Sequence, residues 1–255
     1  TKNVTVSGFA RIFSSGCESN DLKITFHKVI RDGGPNDGQL GDAIGAPITT
    51  AANCEDIGEL TDPEDCQEVR WECPYSYPMV PTVTELAIKT ESANGADGKW
   101  APLIQYNIYI PNSEVMTGDT WEHDVRALAM PDYSVIPSTA IGKPITPGNG
   151  AVAGEVHDCG DVRLLNATVG IDKPKVGLTY FTSDEDSPLP DLGAKSTSKL
   201  GLYAALDVPQ GQVDVAAVGL VGGQKVALGR HTVWVYPDTV TSVTFRGLRP
   251  YQVSP

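Results

Sequence analysis

The side chains that could carry out catalysis are few and scattered along this sequence. The four histidines lie on separate predicted strands or strand ends and form no H-x-H pair; they are His27, His123, His157 and His231. There is no G-x-S-x-G elbow, no H-E-x-x-H helix, no glycine-rich lysine loop for phosphates and no G-x-G-x-x-G motif after a strand. We therefore expect a protein that is not an enzyme. The alternative is a secreted enzyme whose site is built across two domains.

Calcium is the metal that the acidic loops could hold, because a hard cation takes several oxygen ligands and Asp-rich loops with glycine can wrap around it. The first candidate set is Asp32, Asn36, Asp37 and Asp42. The second is Asp184, Glu185, Asp186 and Asp191. Neither set has the spacing of a calcium loop with a distal Glu, so plain solvated turns are the alternative. No other cofactor is expected.

The tryptophans could be platforms on which a sugar ring stacks. They are Trp71, Trp100, Trp121 and Trp234. Trp71 and Trp100 lie beside polar loops, which makes them the two candidates for ligand binding. Packing in the core or at a strand edge is the alternative for all four.

The five cysteines divide into a group of four and one alone. The four are Cys17, Cys54, Cys66 and Cys73, and the fifth is Cys159. Because no C-x-x-C pair and no histidine occur among them, disulfides fit better than a zinc site. Of the three possible pairings we favour Cys54 with Cys66 and Cys17 with Cys73, which would close an acidic segment onto the first strand. We expect Cys159 to be a small buried apolar residue.

The redox state of these cysteines bears on where the protein is found. Disulfides persist outside the reducing cytoplasm, so the pairing indicates an extracellular, periplasmic or cell-surface location. Free thiols in the cytosol are the alternative.

Alternating apolar residues predict β-strands along most of the chain. In the first half the predicted strands are 4–12, 22–26, 83–88, 106–110, 123–128 and 133–136. Residues 31–73 break every period and are interpreted as a long loop or insertion. In the second half the predicted strands are 151–158, 167–171, 178–181, 200–206, 212–220, 231–237 and 242–248, which is the spacing of a sandwich.

These patterns predict an all-β fold of two tandem β-sandwich domains, the first with a long disulfide-bearing insertion at about residues 31–73. The Gly- and Pro-rich segment 142–151 precedes a new alternating run. We therefore predict domains at 1–148 and 149–255.

The charge of the chain excludes one class of partner. It has 19 Lys and Arg residues against 32 Asp and Glu residues, a net charge of -13. Such a surface repels phosphate backbones, so nucleic acid is not expected as a partner. Residues 55–72 carry eight acidic side chains and one Arg, either as a solvated loop or as a surface that binds a cation or partner. No apolar run is long enough for a membrane helix, so we expect no membrane insertion, and we expect a chain already trimmed of any leader.

The second half resembles the transthyretin-like, or carboxypeptidase regulatory-like, β-sandwich. The matching residues are Gly154, Val156, Asp158, Asn166, Ala167, Val169, Gly201, Tyr203, Val208, Pro209, Gly211, Val213 and Val215. The first half matches this pattern at Val6, Gly8, Tyr77, Val80 and Pro81. The resemblance implies accessory modules of secreted enzymes, surface proteins or adhesins, which space, stabilise or bind.

Two functional hypotheses follow from these observations. The first is a non-catalytic secreted or surface module that binds a carbohydrate or protein partner through its loops, the 31–73 insertion, Trp71 and Trp100. The second is a structural subunit of an extracellular filament or layer, a homo-oligomer that associates through edge strands and apolar patches. The mass of the protein in solution would separate them.

Overall fold

A computed structural model describes residues 1–13, 18–54, 59–61, 70–94, 98–175, 177–184 and 188–247. Within these ranges the chain forms β-strands and one α-helix, which confirms the predicted all-β class. The described ranges contain no helix of the length and hydropathy needed to cross a membrane.

The chain divides into two compact units. Unit 1 comprises Thr1–Val29 and Leu40–Tyr133, and unit 2 comprises Ile30–Gln39 and Ser134–Pro255. The predicted boundary at 148/149 between independently folding domains stays a prediction.

Unit 1 is built from twelve strands within the described ranges. They are β1 (Asn3–Phe13), β2 (Leu22–Val29), β3 (Leu40–Ala43), β4 (Ile48–Thr49), β5 (Glu59–Thr61), β6 (Arg70–Glu72), β7 (Pro74–Pro81), β8 (Glu85–Ser92), β9 (Trp100–Ala101), β10 (Leu103–Tyr109), β11 (Thr120–Glu122) and β12 (Val125–Ala129). A 3-10 turn lies at Asn112–Glu114.

Two layers of unit 1 enclose its core. In the first layer β1 pairs with β7 on one side and with β11 and then β12 on the other. In the second, β8 lies between β2 and β10. Apolar residues of both layers pack together, as the ring centroids of Phe26 and Tyr77 show at 4.7 Å. The alternation of β1 places Val4, Val6 and Ala10 in this core.

Helix α1 (Met130–Ile141) is followed along the chain by nine described strands of unit 2. They are β13 (Asn149–His157), β14 (Thr168–Ile171), β15 (Gly177–Phe181), β16 (Pro190–Asp191), β17 (Leu202–Pro209), β18 (Gly211–Val221), β19 (Gln224–Val235), β20 (Val240–Val243) and β21 (Phe245–Arg246). One sheet runs β16-β15-β17-β13-β20, and the other runs β14-β18-β19. Val152, Tyr203, Val213, Val233 and Phe245 are buried in this unit.

Helix α1 replaces the strand predicted at 133–136, so that prediction is wrong. Pro131 and Asp132 occupy its first turn, where a fixed proline φ and a carboxylate both favour helix initiation. These start signals outweigh the β-propensity of Tyr133, Val135 and Ile136.

The segment 31–73 is not a single loop, which corrects a second prediction. It contains β3, β4, β5 and β6, and its residues up to Gln39 belong to unit 2. β3 and β4 both pair with β2, through His27 with Ala43 and Lys23 with Thr49. Residues 55–58 and 62–69 lie outside the described ranges.

The disulfide joins Cys54 to Cys73, with a Cα–Cα distance of 5.3 Å. The favoured pairing of Cys54 with Cys66 and of Cys17 with Cys73 is therefore wrong. The Cys54 N–H donates to the Glu18 carboxylate, and the Cys73 N–H donates to Ser19 Oγ. These two hydrogen bonds hold both cysteines against the segment that contains Glu18 and Ser19. Cys17 and Cys66 lie outside the described ranges.

Cys159 is exposed, so the prediction of a buried thiol is wrong as well. It lies in a tight turn in which the Asp161 N–H donates to the Asp158 carbonyl. The apolar alternation of β13 ends before this turn, at His157.

Candidate functional site

The first predicted calcium set is not gathered into one site. The Asp32 carboxylate accepts the Gly34 N–H at 2.8 Å, and Asp37 pairs with Arg31 at 3.2 Å. Asn36 accepts a hydrogen bond from Gln39. Asp42 is exposed on β3, in unit 1. Each of the first three side chains thus serves a turn or an ion pair, and no carboxylate cluster forms from this set among the described residues.

The second set is described in part. Asp191, at the end of β16, accepts the Gly193 N–H at 2.9 Å and so closes a local turn. Glu185 and Asp186 lie outside the described ranges, and Asp184 borders them. Calcium binding at this loop stays a prediction.

One group of three possible ligand atoms occurs in the described part of the chain. It consists of Glu18, Cys54 and Cys73. The two sulfur atoms are bonded to each other, and a metal requires them as thiolates. The group is therefore a structural crosslink in this oxidised state.

The two tryptophans predicted to bind sugar have different environments. Trp100 is 2% exposed, and its Nε1 donates to the Asn20 carbonyl at 2.8 Å. It therefore offers no ring face to a ligand, and the prediction is wrong for this residue. Trp71 is half-buried on β6, beside Glu18. A role for Trp71 in ligand binding stays a prediction.

A concave surface lies on the outer side of β1, here called the β1 groove. Its volume is about 480 Å³, within the range of natural ligand pockets, about 300–1,000 Å³. It is lined by Ser7, Gly8, Phe9, Arg11, Pro74, Tyr75, Glu122, His123 and Asp124. All of these residues belong to unit 1.

The β1 groove arises where a parallel ladder is interrupted. β1 pairs with β11 up to Ser7 and with β12 from Ala10, and His123 and Asp124 connect the two partners. A Cβ on Gly8 would lie 2.1 Å from the His123 carbonyl oxygen, so only glycine fits there. The Asp124 carboxylate replaces the missing ladder bond by accepting the Phe9 N–H at 2.8 Å.

Arg11 holds the floor of the groove together. Its Nε donates to Asp124 at 2.8 Å, and its Nη1 donates to Glu72 at 2.6 Å. Glu72 is 3% exposed and also accepts the Ile12 N–H. The guanidinium lies 5.1 Å from the centre of the Phe9 ring.

The charges of Arg11 and Asp124 are fixed at neutral pH. Burial would lower the pKa of Arg11, but hydrogen bonds to Glu72 and Asp124 raise it above its ordinary value. Burial would raise the pKa of Asp124, but the Phe9 N–H and Arg11 lower it below its ordinary value. Desolvation and the Asp124 charge raise the pKa of Tyr75, whose hydroxyl donates to the His123 carbonyl. None of these three groups is poised for proton transfer near pH 7.

Sequence reasoning missed the β1 groove because its residues come from distant segments. Arg11 and Glu72 are 61 positions apart, and Arg11 and Asp124 are 113 apart. The local signal was present in β1, where Gly8 and Arg11 interrupt a run of apolar residues.

A second notable surface lies on the hairpin of β18 and β19 in unit 2. Gly222 and Gly223 close the hairpin with φ of 59° and 81°, as a two-residue type I′ turn requires. The base of its outer face is covered by the segment Ile30–Gln39, because Gln212 donates to the carbonyls of Gly34 and Asp37 at 3.1 Å. The end near the turn lacks this cover.

We call the outer side of this end the tip face, which consists of Ala216, Val218, Leu220, Lys225 and Ala227. The register places Val218 opposite Ala227 and Leu220 opposite Lys225, so these side chains share one face. Val218 is 41% exposed and Leu220 is 42% exposed. The tip face is thus an apolar surface with Lys225 as its cation, and it is bordered by Arg230, which lies opposite Ala216 and pairs with Asp214.

Comparisons with known proteins give weak similarity. No protein-family model matches the sequence, and no curated protein matches it significantly. Among solved structures, the Bacillus anthracis TIE protein matches with 9% identity and a TM-score of 0.25, over 96% of this chain and 34% of that one. A fimbrial protein from Bacteroides ovatus matches with 7% identity and a TM-score of 0.24, over 97% and 50%.

A third match is BcpA, the major pilin subunit of Bacillus cereus, with 10% identity and a TM-score of 0.25, over 97% of this chain and 71% of that one. The chain thus spans about a third of the first protein and half of the second. TM-scores at this level do not establish a shared fold or function.

Proposed function

We propose that this chain is a non-catalytic structural subunit that associates with further copies of itself outside the cytoplasm. The observation that carries this proposal is the tip face, an exposed apolar surface on a hairpin whose base is covered by the chain itself. Contiguous exposed apolar patches are enriched at places where another molecule packs.

The contact is made by the face of the hairpin rather than by its edge strand, β19. In the described residues β19 pairs only with β18, so it is an edge strand. A lysine on an edge strand opposes indiscriminate strand addition, and Lys225 occupies such a position. The apolar residues Val218 and Leu220 instead offer a specific packing surface.

The ion-paired cluster around Arg11 supports a role without turnover. Arg11, Glu72 and Asp124 satisfy one another and the backbone, which fits a stabilising cluster. The Cys54–Cys73 disulfide fits an extracellular, periplasmic or cell-surface location. As part of the proposal, the two units are tandem transthyretin-like sandwiches, on the resemblance that includes Gly154 and Tyr203.

Sedimentation over a concentration series, with and without a calcium chelator, tests the proposal. The mass should rise above the 27.1 kDa of one chain as concentration increases, and chelation should leave it unchanged. The double change Val218→Thr and Leu220→Thr should keep the protein monomeric, because it removes apolar contact while preserving β-propensity. Leu192→Thr, at another exposed leucine of unit 2, is the matched control and should associate normally.

Two outcomes would contradict the proposal. One is a mass of 27.1 kDa at every concentration. The other is association that the double change at Val218 and Leu220 leaves intact.

A further inference from the structure

Any contact between two copies of this chain must overcome electrostatic repulsion. Most of the net charge of -13 is carried by unit 1, and like-charged surfaces repel at short range. The region around the hairpin turn in unit 2 carries little charge. Residues 215–229 contain a single charged side chain, Lys225, which is exposed and forms no ion pair within the described part of the chain.

The β1 groove has the opposite charge. Its lining holds the carboxylates of Glu122 and Asp124 and one guanidinium, that of Arg11, which already pairs with Asp124 and with the buried Glu72. Glu122 is exposed at the groove and, in the described ranges, has no ion-pair partner. Because Asp124 is paired with Arg11, Glu122 is the groove carboxylate left for an incoming cation.

The apolar parts of the two surfaces also match. The register of β1 and β7 places Phe9 opposite Pro74. Phe9 is half-buried and Pro74 is exposed. Phe9 and Pro74 of one copy offer apolar surface to Leu220 and to the aliphatic stem of Lys225 of another. Leu220 and Lys225 lie opposite each other on the hairpin.

We propose that the tip face of one copy docks into the β1 groove of a second copy, with Lys225 paired to Glu122. This inference rests on the proposed function and names the partner surface of the tip face. Because the two surfaces differ, the contact is heterologous, and a docked pair keeps one free groove on the first copy and one free tip face on the second. Repetition of this contact produces rings or open chains rather than closed dimers.

A charge exchange tests the pairing. Lys225→Glu and Glu122→Lys should each weaken association by about tenfold or more, because each places like charges in contact. An equimolar mixture of the two variants should associate, since every contact between unlike copies again pairs opposite charges. A chain that carries both changes should associate on its own.

The matched controls are Lys195→Glu in unit 2 and Asp42→Lys in unit 1, both at exposed positions. They change net charge by the same amounts and should leave association close to that of the wild type. Circular dichroism of each variant checks that it is folded.

The outcomes separate this inference from the proposed function. If the wild type associates and the two single changes act no differently from their controls, the docking inference is overturned while self-association stands. If the singles weaken association but neither the mixture nor the double change restores it, Lys225 and Glu122 do not pair. If the wild type never associates, both proposals are wrong.

Discussion

Asp207 ties the segment that follows α1 to strand β17. Its side chain is 3% exposed and accepts hydrogen bonds from Lys143 Nζ at 2.5 Å, the Thr146 N–H at 2.9 Å and Asn149 Nδ2 at 2.8 Å. Burial would raise the pKa of Asp207, but these hydrogen bonds outweigh burial and lower it well below the ordinary value of 3.8. The carboxylate is therefore a structural anion.

The lowered pKa of Asp207 gives a pH-dependent stability. A carboxylate whose pKa is lower in the folded than in the unfolded state stabilises the fold above its unfolded pKa and loses that effect as pH falls through the folded pKa. Asp207→Asn should cost about 1.5–3 kcal/mol at pH 7 through weakened charge-assisted bonds. Its cost should shrink as pH falls below the ordinary value of 3.8. Urea unfolding at several pH values measures both effects.

The control for this change is Asp42→Asn, at an exposed carboxylate. It should leave the free energy of unfolding within about 0.5 kcal/mol of the wild type at each pH. Equal stability of Asp207→Asn and wild type at pH 7 would refute the anchoring role.

At the residue scale, the sequence indicated which residues were candidates but not their environments. The four clustered cysteines pointed to a disulfide, yet the pairing depended on bonds from Cys54 and Cys73 to Glu18 and Ser19. Trp100 lies beside a polar loop in sequence, yet its ring is buried. Such outcomes are set by contacts between distant segments, which local spacing does not encode.

At the element scale, the break between β11 and β12 depends on one glycine. Gly8→Ala would drive its methyl group into the His123 carbonyl, which lies 2.1 Å from the ideal Cβ position. We expect a loss of about 1–3 kcal/mol in unfolding free energy, the usual cost of overpacking. Chemical denaturation of the purified variant measures this loss.

Gly170→Ala is the matched control, because nothing lies within 4 Å of the added Cβ on β14. It should change stability by no more than about 0.5 kcal/mol. An equal effect at both glycines would show that the approach of His123 to Gly8 is not what requires glycine there.

Elements with strong alternation were predictable, whereas those governed by competing local signals were not. The predicted strands of the second half overlap β13–β15 and β17–β21, because alternating apolar residues there face the core. The prediction at 231–237 missed the first half of β19, and the prediction at 242–248 merged β20 with β21. The residues Tyr133 to Ile136 have strand propensity but follow Pro131 and Asp132, which initiate a helix. The β1 groove required three segments to meet, so no single stretch of sequence predicted it.

At the scale of the whole molecule, the two units carry complementary surfaces of opposite charge. The β1 groove of unit 1 is acidic, and the tip face of unit 2 is apolar with Lys225 as its cation. A subunit with one surface of each kind can add to a growing assembly at either end. In this proposal, copies of the chain associate through the tip face.

Amide hydrogen exchange at low and high protein concentration tests this claim most directly. We predict that exchange slows with concentration in residues 216–227, because the tip face becomes buried in the contact between copies. Exchange at the buried core strand β8 (Glu85–Ser92) should be independent of concentration. Association accompanied by unchanged exchange in residues 216–227 would contradict the account.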